Sequence, residues 1–241
     1  MRVGMVQSNF LPWRGYFDLI DDCDLFVFYD DVQYTHKGWR NRNRIKTHSG
    51  PIWVSVPVLH DHSTLIENAI IDYSGRWVAK MVRSISLAYQ KARYFQSYAP
   101  GLFEILESKR ETISELNIAL CSYLMRQLGI TTEIRKSREF GVAGDKFERP
   151  LRILRALGAT SYLSGPAAKP YTDASAFRKA GIELLYKTYV YDEYPQIHGT
   201  FCPDVSVVDL LFNCGPEARA HLKSLVTNEV AAEASSSIAG T

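Results

Sequence analysis

Cysteine is scarce and scattered. The four residues Cys23, Cys121, Cys202 and Cys214 stand far apart in a chain of 241 and form no C-x-x-C pair, so neither a zinc site nor a dithiol redox motif is indicated. A reducing compartment fits that usage. Long apolar runs are missing as well. No 18-residue apolar stretch occurs, the length a membrane-spanning helix needs. The N-terminus, MRVGMVQSNFLPWRGYF, meets Pro12 and Arg14 before any apolar segment long enough for a signal peptide. The expectation is a cytoplasmic protein with no membrane insertion. Charge of one sign is also lacking: 28 basic and 26 acidic residues leave a net +2, which creates no global field to draw in long nucleic acid. Any affinity for phosphate must come from local clusters.

What remains is ordinary globular material, 46% hydrophobic and 22% charged, a balance that excludes disorder. A chain of this length buries roughly 70 to 75% of its unfolded surface, so a sizeable core is available. No repeat or linker divides it. The expectation is one α/β domain over residues 1–228, with a small, polar tail at 229–241 that frays.

Residues 2–6 have the pattern of a short buried strand, followed by a loop over Ser8 to Arg14 and a short helix from Tyr16 to Asp22. Leu25 to Tyr29, LFVFY, is aromatic and β-branched like a central strand, and it ends in Asp30 and Asp31. Strand, loop, helix, strand is a βαβ unit. Open sheets of this kind place ligands at the carboxyl ends of their strands, so Gln7 and Asp30 are expected side by side. Arg40, Arg42, Arg44 and Lys46 alternate with Asn41, Asn43 and Ile45, and an extended strand would put the four cations on one face. A further strand is expected over Ile52 to Val58. Helices are expected over 76–93, over 114–128 behind a Ser114 cap, over Pro150 to Leu157 and over 174–180. Strands at Ser161 to Leu163 and Glu183 to Tyr189 and an apolar element at Val205 to Leu211 complete the pattern. The predicted fold class is α/β: a Rossmann-like, mostly parallel sheet with flanking helices and a nucleotidyltransferase-like start.

Several clusters could carry chemistry. Asp30 and Asp31 could act as a general base, hold a cation or bind sugar hydroxyls, or they could simply order the turn at a strand end. In GWRNRNRIK at 38–46 the arginine forks match phosphate oxygens and Trp39 could stack on a base or sugar ring; a charged edge strand is the alternative. The loop at 7–17 has the layout of a nucleotidyltransferase strand-to-helix loop with Arg14-Gly15-Tyr16 at its anion-binding place, but it lacks the histidines of that motif. Ser164, Gly165 and Lys169 follow a strand and could meet a phosphate or carboxylate, or form a plain Gly-Pro turn. His60-Asp61-His62 brings no third or fourth metal ligand, so no metal is expected. His198 is the better candidate for proton transfer.

The runs QSNFLPWRGYFDLI (7–20), LFVFYDDVQYTHKGWRNRNRIK (25–46), SELN (114–117), LGATSYLSGPAAKPY (157–171) and YPQIHGTFCPDVSVVDLLFNCG (194–215) together resemble the WbqC-like family, a bacterial group found in gene clusters for O-antigen and related surface glycans. The resemblance implies an N-acyltransferase or aminoacyltransferase acting on a nucleotide-linked amino sugar. Its partners would be that sugar and an acyl or aminoacyl carrier, with the donor activated as a thioester and no cofactor bound permanently. The family pattern carries over onto Gln7, Tyr16, Asp30, Asp31, Gln33, Trp39, Asn41, Arg42, Asn43 and Arg44, then Ser164, Gly165 and Tyr171, then Gln196, His198, Ser206, Asp209 and Asn213. Asp30, Asp31 or His198 would be the catalytic base, and Gln7, Tyr16, Gln33, Trp39, Arg42, Asn43, Arg44, Ser164, Gly165, Tyr171 and Gln196 would bind substrate. The alternatives are a degenerate nucleotidyltransferase or activating ligase, and a non-catalytic module that binds a sugar nucleotide.

Overall fold

A computed structural model describes residues 1–144 and 148–231, apart from the side chain of Tyr171. The chain opens with β1 (Arg2–Val6), α1 (Arg14–Asp21) and β2 (Leu25–Phe28). A long excursion then brings β3 (Arg42–Thr47), β4 (Gly50–Ser55), β5 (Val58–Leu59), β6 (Ile70–Ile71) and three helices, α2 (Trp77–Tyr89), α3 (Phe95–Glu107) and α4 (Ile113–Gln127). After it come β7 (Glu133–Lys136), α5 (Glu148–Ala156), β8 (Ser161–Ser164), α6 (Ala174–Lys179), β9 (Glu183–Tyr186), α7 (Val207–Cys214) and β10 (Glu229–Val230).

The main sheet has the order β10-β9-β8-β1-β2-β7. Its strands run parallel except at the β10–β9 edge. Central parallel strands bury both faces, and β1 and β2 do so by alternation. Val3, Met5, Leu25 and Val27 pack with Ile153, Leu154 and Phe177 of α5 and α6. Phe26 and Phe28 face the other way, into the larger core of Phe17, Leu124 and Leu211 from α1, α4 and α7. Each fully buried ring of this kind contributes roughly 1.5 to 3 kcal/mol of transfer free energy. The chain leaves β1 for β2 on one side and returns to β8 on the other, so the strand order reverses beside β1. The fold class expected from the sequence is the one observed.

Several details depart from the expectation. The cap of α4 is Thr112, which accepts from the Glu115 N–H in a reciprocal capping box, and Ser114 points instead into the interior. Glu229 and Val230 pair with Tyr186 and Leu185, so the chain is held in the sheet past the point where fraying was expected to begin. The strand expected over Ile52 to Val58 is split between β4 and β5, which belong to different two-stranded sheets. The element expected over Val205 to Leu211 is helix α7, capped by Ser206.

Candidate functional site

The loop between β1 and α1 is held from three directions. The Phe10 N–H donates to the Trp39 carbonyl at 2.9 Å. The buried Asn43 side chain donates to the carbonyls of Phe10 (3.2 Å) and Leu11 (2.8 Å). The Val207 N–H, at the start of α7, donates to the Pro12 carbonyl at 2.8 Å. Those bonds stabilise Leu11 at φ +42, a left-handed conformation that costs a side-chain-bearing residue about 1 to 3 kcal/mol. Asn43, expected to touch substrate, is therefore the brace of this loop.

Trp13 folds back over the first turn of α1. A Cβ at Gly15 would come within 2.3 Å of the Trp13 ring, so only glycine admits that ring position. Arg14 does not face the helix N-terminus as an anion ligand. It is buried, donates to the carbonyls of Asp192 (2.8 Å) and His221 (3.2 Å), and lies 4.4 Å from the Tyr191 ring centre. Burial lowers its pKa, against the opposing pull of Tyr194, Tyr191 and nearby carboxylates. A Gly15→Ala substitution should expel the Trp13 ring and cost about 1 to 3 kcal/mol, as overpacking does. Chemical denaturation measures that loss, and an unchanged midpoint would show that the ring has somewhere else to go.

Beside this loop lies a cleft of about 400 Å³ lined by Asn9, Pro12, Trp13, Trp39, Asn43, Arg44 and Asp204. One wall is β3, through Asn43 and Arg44, and across the β3–β4 hairpin Arg44 stands opposite Trp53. The guanidinium groups of Arg42 and Arg44 sit 4.4 and 5.7 Å from the Trp53 ring centre. Trp39 lies 5.6 Å from the same ring. Arg44 also pairs with Asp204 at 3.2 Å. Both indoles are about half exposed, Trp39 at 45% and Trp53 at 48%, so a flat ring has somewhere to stack. The cleft thus offers aromatic surface, a guanidinium fork and a carboxylate within one concavity. That combination suits a ligand with a ring, an anionic group and a cationic or hydroxyl group.

The other candidates lie around it or apart from it. Arg42, Arg44 and Lys46 share a face of β3 by alternation, but Arg40 precedes the strand and turns inward, where it donates to the Gln7 side chain. Burial lowers the Arg40 pKa, opposed by Tyr16, Asp30 and Tyr34. Tyr16 donates from its hydroxyl to the Gln7 carbonyl at 3.0 Å, and burial holds that phenol protonated well above its usual range. Asp30 is 4% exposed and accepts from the Ser8 N–H at 2.7 Å and the Ser114 hydroxyl at 2.5 Å. Asn117 joins the same buried group by donating to the Ser8 hydroxyl and the Arg40 carbonyl. Asp31 turns to the other side, paired with Arg149 and accepting from the Ser137 hydroxyl. The adjacent carboxylates diverge.

His198 is hydrogen-bonded through Nε2 to the Ala88 carbonyl of α2 at 2.7 Å. Gln196 is a hub: it accepts from Lys46 Nζ at 2.6 Å and donates to Asp209 at 2.8 Å, tying β3 to α7. Lys46 is thereby withdrawn from the cation face. Gln33 donates to the His62 carbonyl at 2.6 Å, and His60 contacts His36 at 3.1 Å. Ser164 ends β8 and is buried, while Gly165 caps the short 3-10 helix Pro166–Tyr171. The Tyr171 side chain lies outside the described residues. None of these bonds joins Asp30, Asp31 and His198 to one another.

Sequence reading missed Asn9, Pro12, Trp13 and Asp204 as cleft residues. An aromatic in a strand-to-helix loop was a usable signal for Trp13, whereas Asp204 meets Arg44 from 160 positions away and left no local trace. Burial pushes the thiols of Cys23 and Cys214 up to about 12 and about 11 and raises Cys121 further, so these three stay protonated near neutral pH. Among the described residues there is no group of three or more His, Cys, Asp or Glu that could hold a metal ion. No helix among them is long and apolar enough to cross a membrane.

Comparison with known proteins agrees with the pattern in the motifs. The model described as the WbqC-like protein family matches residues 7–221. An uncharacterized protein of Mycobacterium tuberculosis is 40% identical over 229 residues, which cover 92% of this chain and 97% of that relative. No solved structure matches the chain.

Proposed function

The chain belongs to the WbqC-like protein family, and from that premise we propose that its cleft receives a nucleotide-activated amino sugar for N-acyl or aminoacyl transfer in bacterial surface-polysaccharide biosynthesis. The observation that carries this reading is the side-by-side placement of Arg44 and Asp204 in a concavity walled by tryptophans. Arg42 and Arg44 hold the diphosphate, and Trp39 packs against the base or sugar ring. Asp204 faces the amine. At neutral pH that amine is an ammonium ion. It loses one proton to Asp204 and attacks the carbonyl of a thioester donor; the carbon–sulfur bond breaks, and the second amine proton goes to the departing thiolate.

The test pairs the purified chain with nucleotide-linked amino sugars and acyl or aminoacyl thioesters. Mass spectrometry should detect a product heavier by the acyl group, and failure across a broad donor panel sinks the transferase reading. A second reading, a binding module without catalysis, is favoured by the divergence of Asp30, Asp31 and His198, each bonded to a different part of the protein. Binding of the sugar nucleotide without product selects it. The nucleotidyltransferase alternative fits less well, because Trp13 covers the first turn of α1 and Arg14 is turned away.

Under either of the first two readings, Arg42→Ala should weaken binding of the nucleotide by about 1 to 3 kcal/mol, the range for losing a hydrogen bond to a charged group. Calorimetry on a folded variant reads this directly. Wild-type affinity would mark Arg42 as a brace for Trp53 alone.

A further inference from the structure

We infer that the outward face of α2 is a docking surface for an anionic lipid bilayer. Between Asp72 and Glu104 the chain has no acidic residue and holds five basic ones, Arg76, Lys80, Arg83, Lys91 and Arg93. The whole chain carries only +2, so removing these five leaves the remainder at −3. Such segregation produces a local positive field that the overall balance hides.

All five side chains are exposed. Among the described residues none of them lies within ion-pairing distance of a carboxylate, and the ion pairs formed among those residues involve other side chains. At 100° per residue, Lys80, Arg83 and Leu87 fall on one stripe of α2, because their spacings are three and four; Arg76 stands at the helix N-cap and Lys91 just past its C-cap. Its helical part is roughly 10 Å long at 1.5 Å per residue, and Arg76 and Lys91 flank it. The opposite face, Trp77, Met81, Ile85, Ala88 and Tyr89, is buried in the core and anchors the helix.

Two features favour a bilayer over a nucleic acid. Leu87 projects from the stripe between Arg83 and Lys91 at 64% exposed, where it can enter the boundary between headgroups and acyl chains. The stripe also carries no aromatic ring on which bases could stack, since the two aromatic residues of α2, Trp77 and Tyr89, are buried on the opposite face. A row of exposed cations around one apolar side chain matches a flat anionic surface.

Vesicle flotation with the full chain tests the assignment. Vesicles containing phosphatidylglycerol should carry the protein at low salt, pure phosphatidylcholine vesicles should not, and high salt should release it. Lys80→Glu combined with Arg83→Glu should lower partitioning about 30-fold, from roughly fivefold for each cation lost. Leu87→Gln should lower it severalfold, and Lys179→Glu on α6 should leave it unchanged. Circular dichroism and thermal melting confirm that each variant is folded. Equal partitioning into both vesicle types, wild-type partitioning by the double variant, or binding to an RNA oligonucleotide with vesicles ignored overturns the proposal.

Discussion

Lys187→Met should lower the unfolding free energy by about 3 to 5 kcal/mol, the cost of leaving buried charge without its partner. The Lys187 side chain is 2% exposed and lies 2.8 Å from Asp18 and 2.6 Å from Asp22. Asp18 is fully buried on α1 and also accepts from the Tyr191 hydroxyl and the Ser224 N–H. Methionine keeps most of the packing volume of lysine, so the loss measured by denaturation is chiefly electrostatic. Adding Asp18→Asn should restore a substantial part of it, because the orphaned charge is removed with its partner. Equal stability of wild type and Lys187→Met would mean that Lys223, which approaches Asp18, Asp21 and Asp22, takes over the pairing.

The same cluster has a defined acid limit. Burial by itself would raise the Asp22 pKa, but hydrogen bonds from Lys187, Lys223 and Asn228 outweigh it and hold the carboxyl at about 2, below its usual 3.8. A carboxyl depressed in the folded state adds stability above its unfolded pKa and loses that contribution as pH falls through the folded one. The contribution of Asp22 is therefore present above about pH 4 and fades between about 4 and 2. Lys187→Met should flatten this part of the pH–stability profile.

The parts of the fold legible in the sequence are those where burial and periodicity coincide. In β1 and β2 apolar residues fill both faces, and α2 and α4 show uninterrupted helical spacing. The helix α3 was hidden by Pro100-Gly101 in its middle, yet Pro100 is exposed and the rest of its apolar face, Phe95, Ala99, Leu102 and Leu106, is buried. The edge strand β7 reads EIRK, too charged and too short for a strand pattern, and it forms because β2 offers it a parallel partner. In the site, the tandem Asp30-Asp31 was visible but its geometry was not. The backbone turns between them, so one carboxylate meets Ser8 and Ser114 while the other meets Arg149 and Ser137. Alternation predicted the common face of Arg42 and Arg44. It could not predict that Lys46, on that same face, is claimed by Gln196 and Thr200.

The cleft raises Asp204 from an unremarked loop residue to the group with the largest expected effect on turnover. If it accepts the proton of the attacking amine, Asp204→Asn should lower kcat by about 10² to 10⁴, the range contributed by a positioned general base. Affinity for a sugar nucleotide lacking the amine should stay near wild type, since the amide keeps the shape of the carboxylate and Arg44 still reaches the phosphates. Asparagine also removes the ion pair that restrains Arg44, so a modest change in KM is compatible with the role and a large one is not. A pure KM effect would make Asp204 a positioning partner of Arg44. Restoration of turnover at high pH separates the cases further: with the base removed, rate should climb as the substrate ammonium itself deprotonates, whereas a variant impaired only in positioning Arg44 should keep the wild-type pH profile.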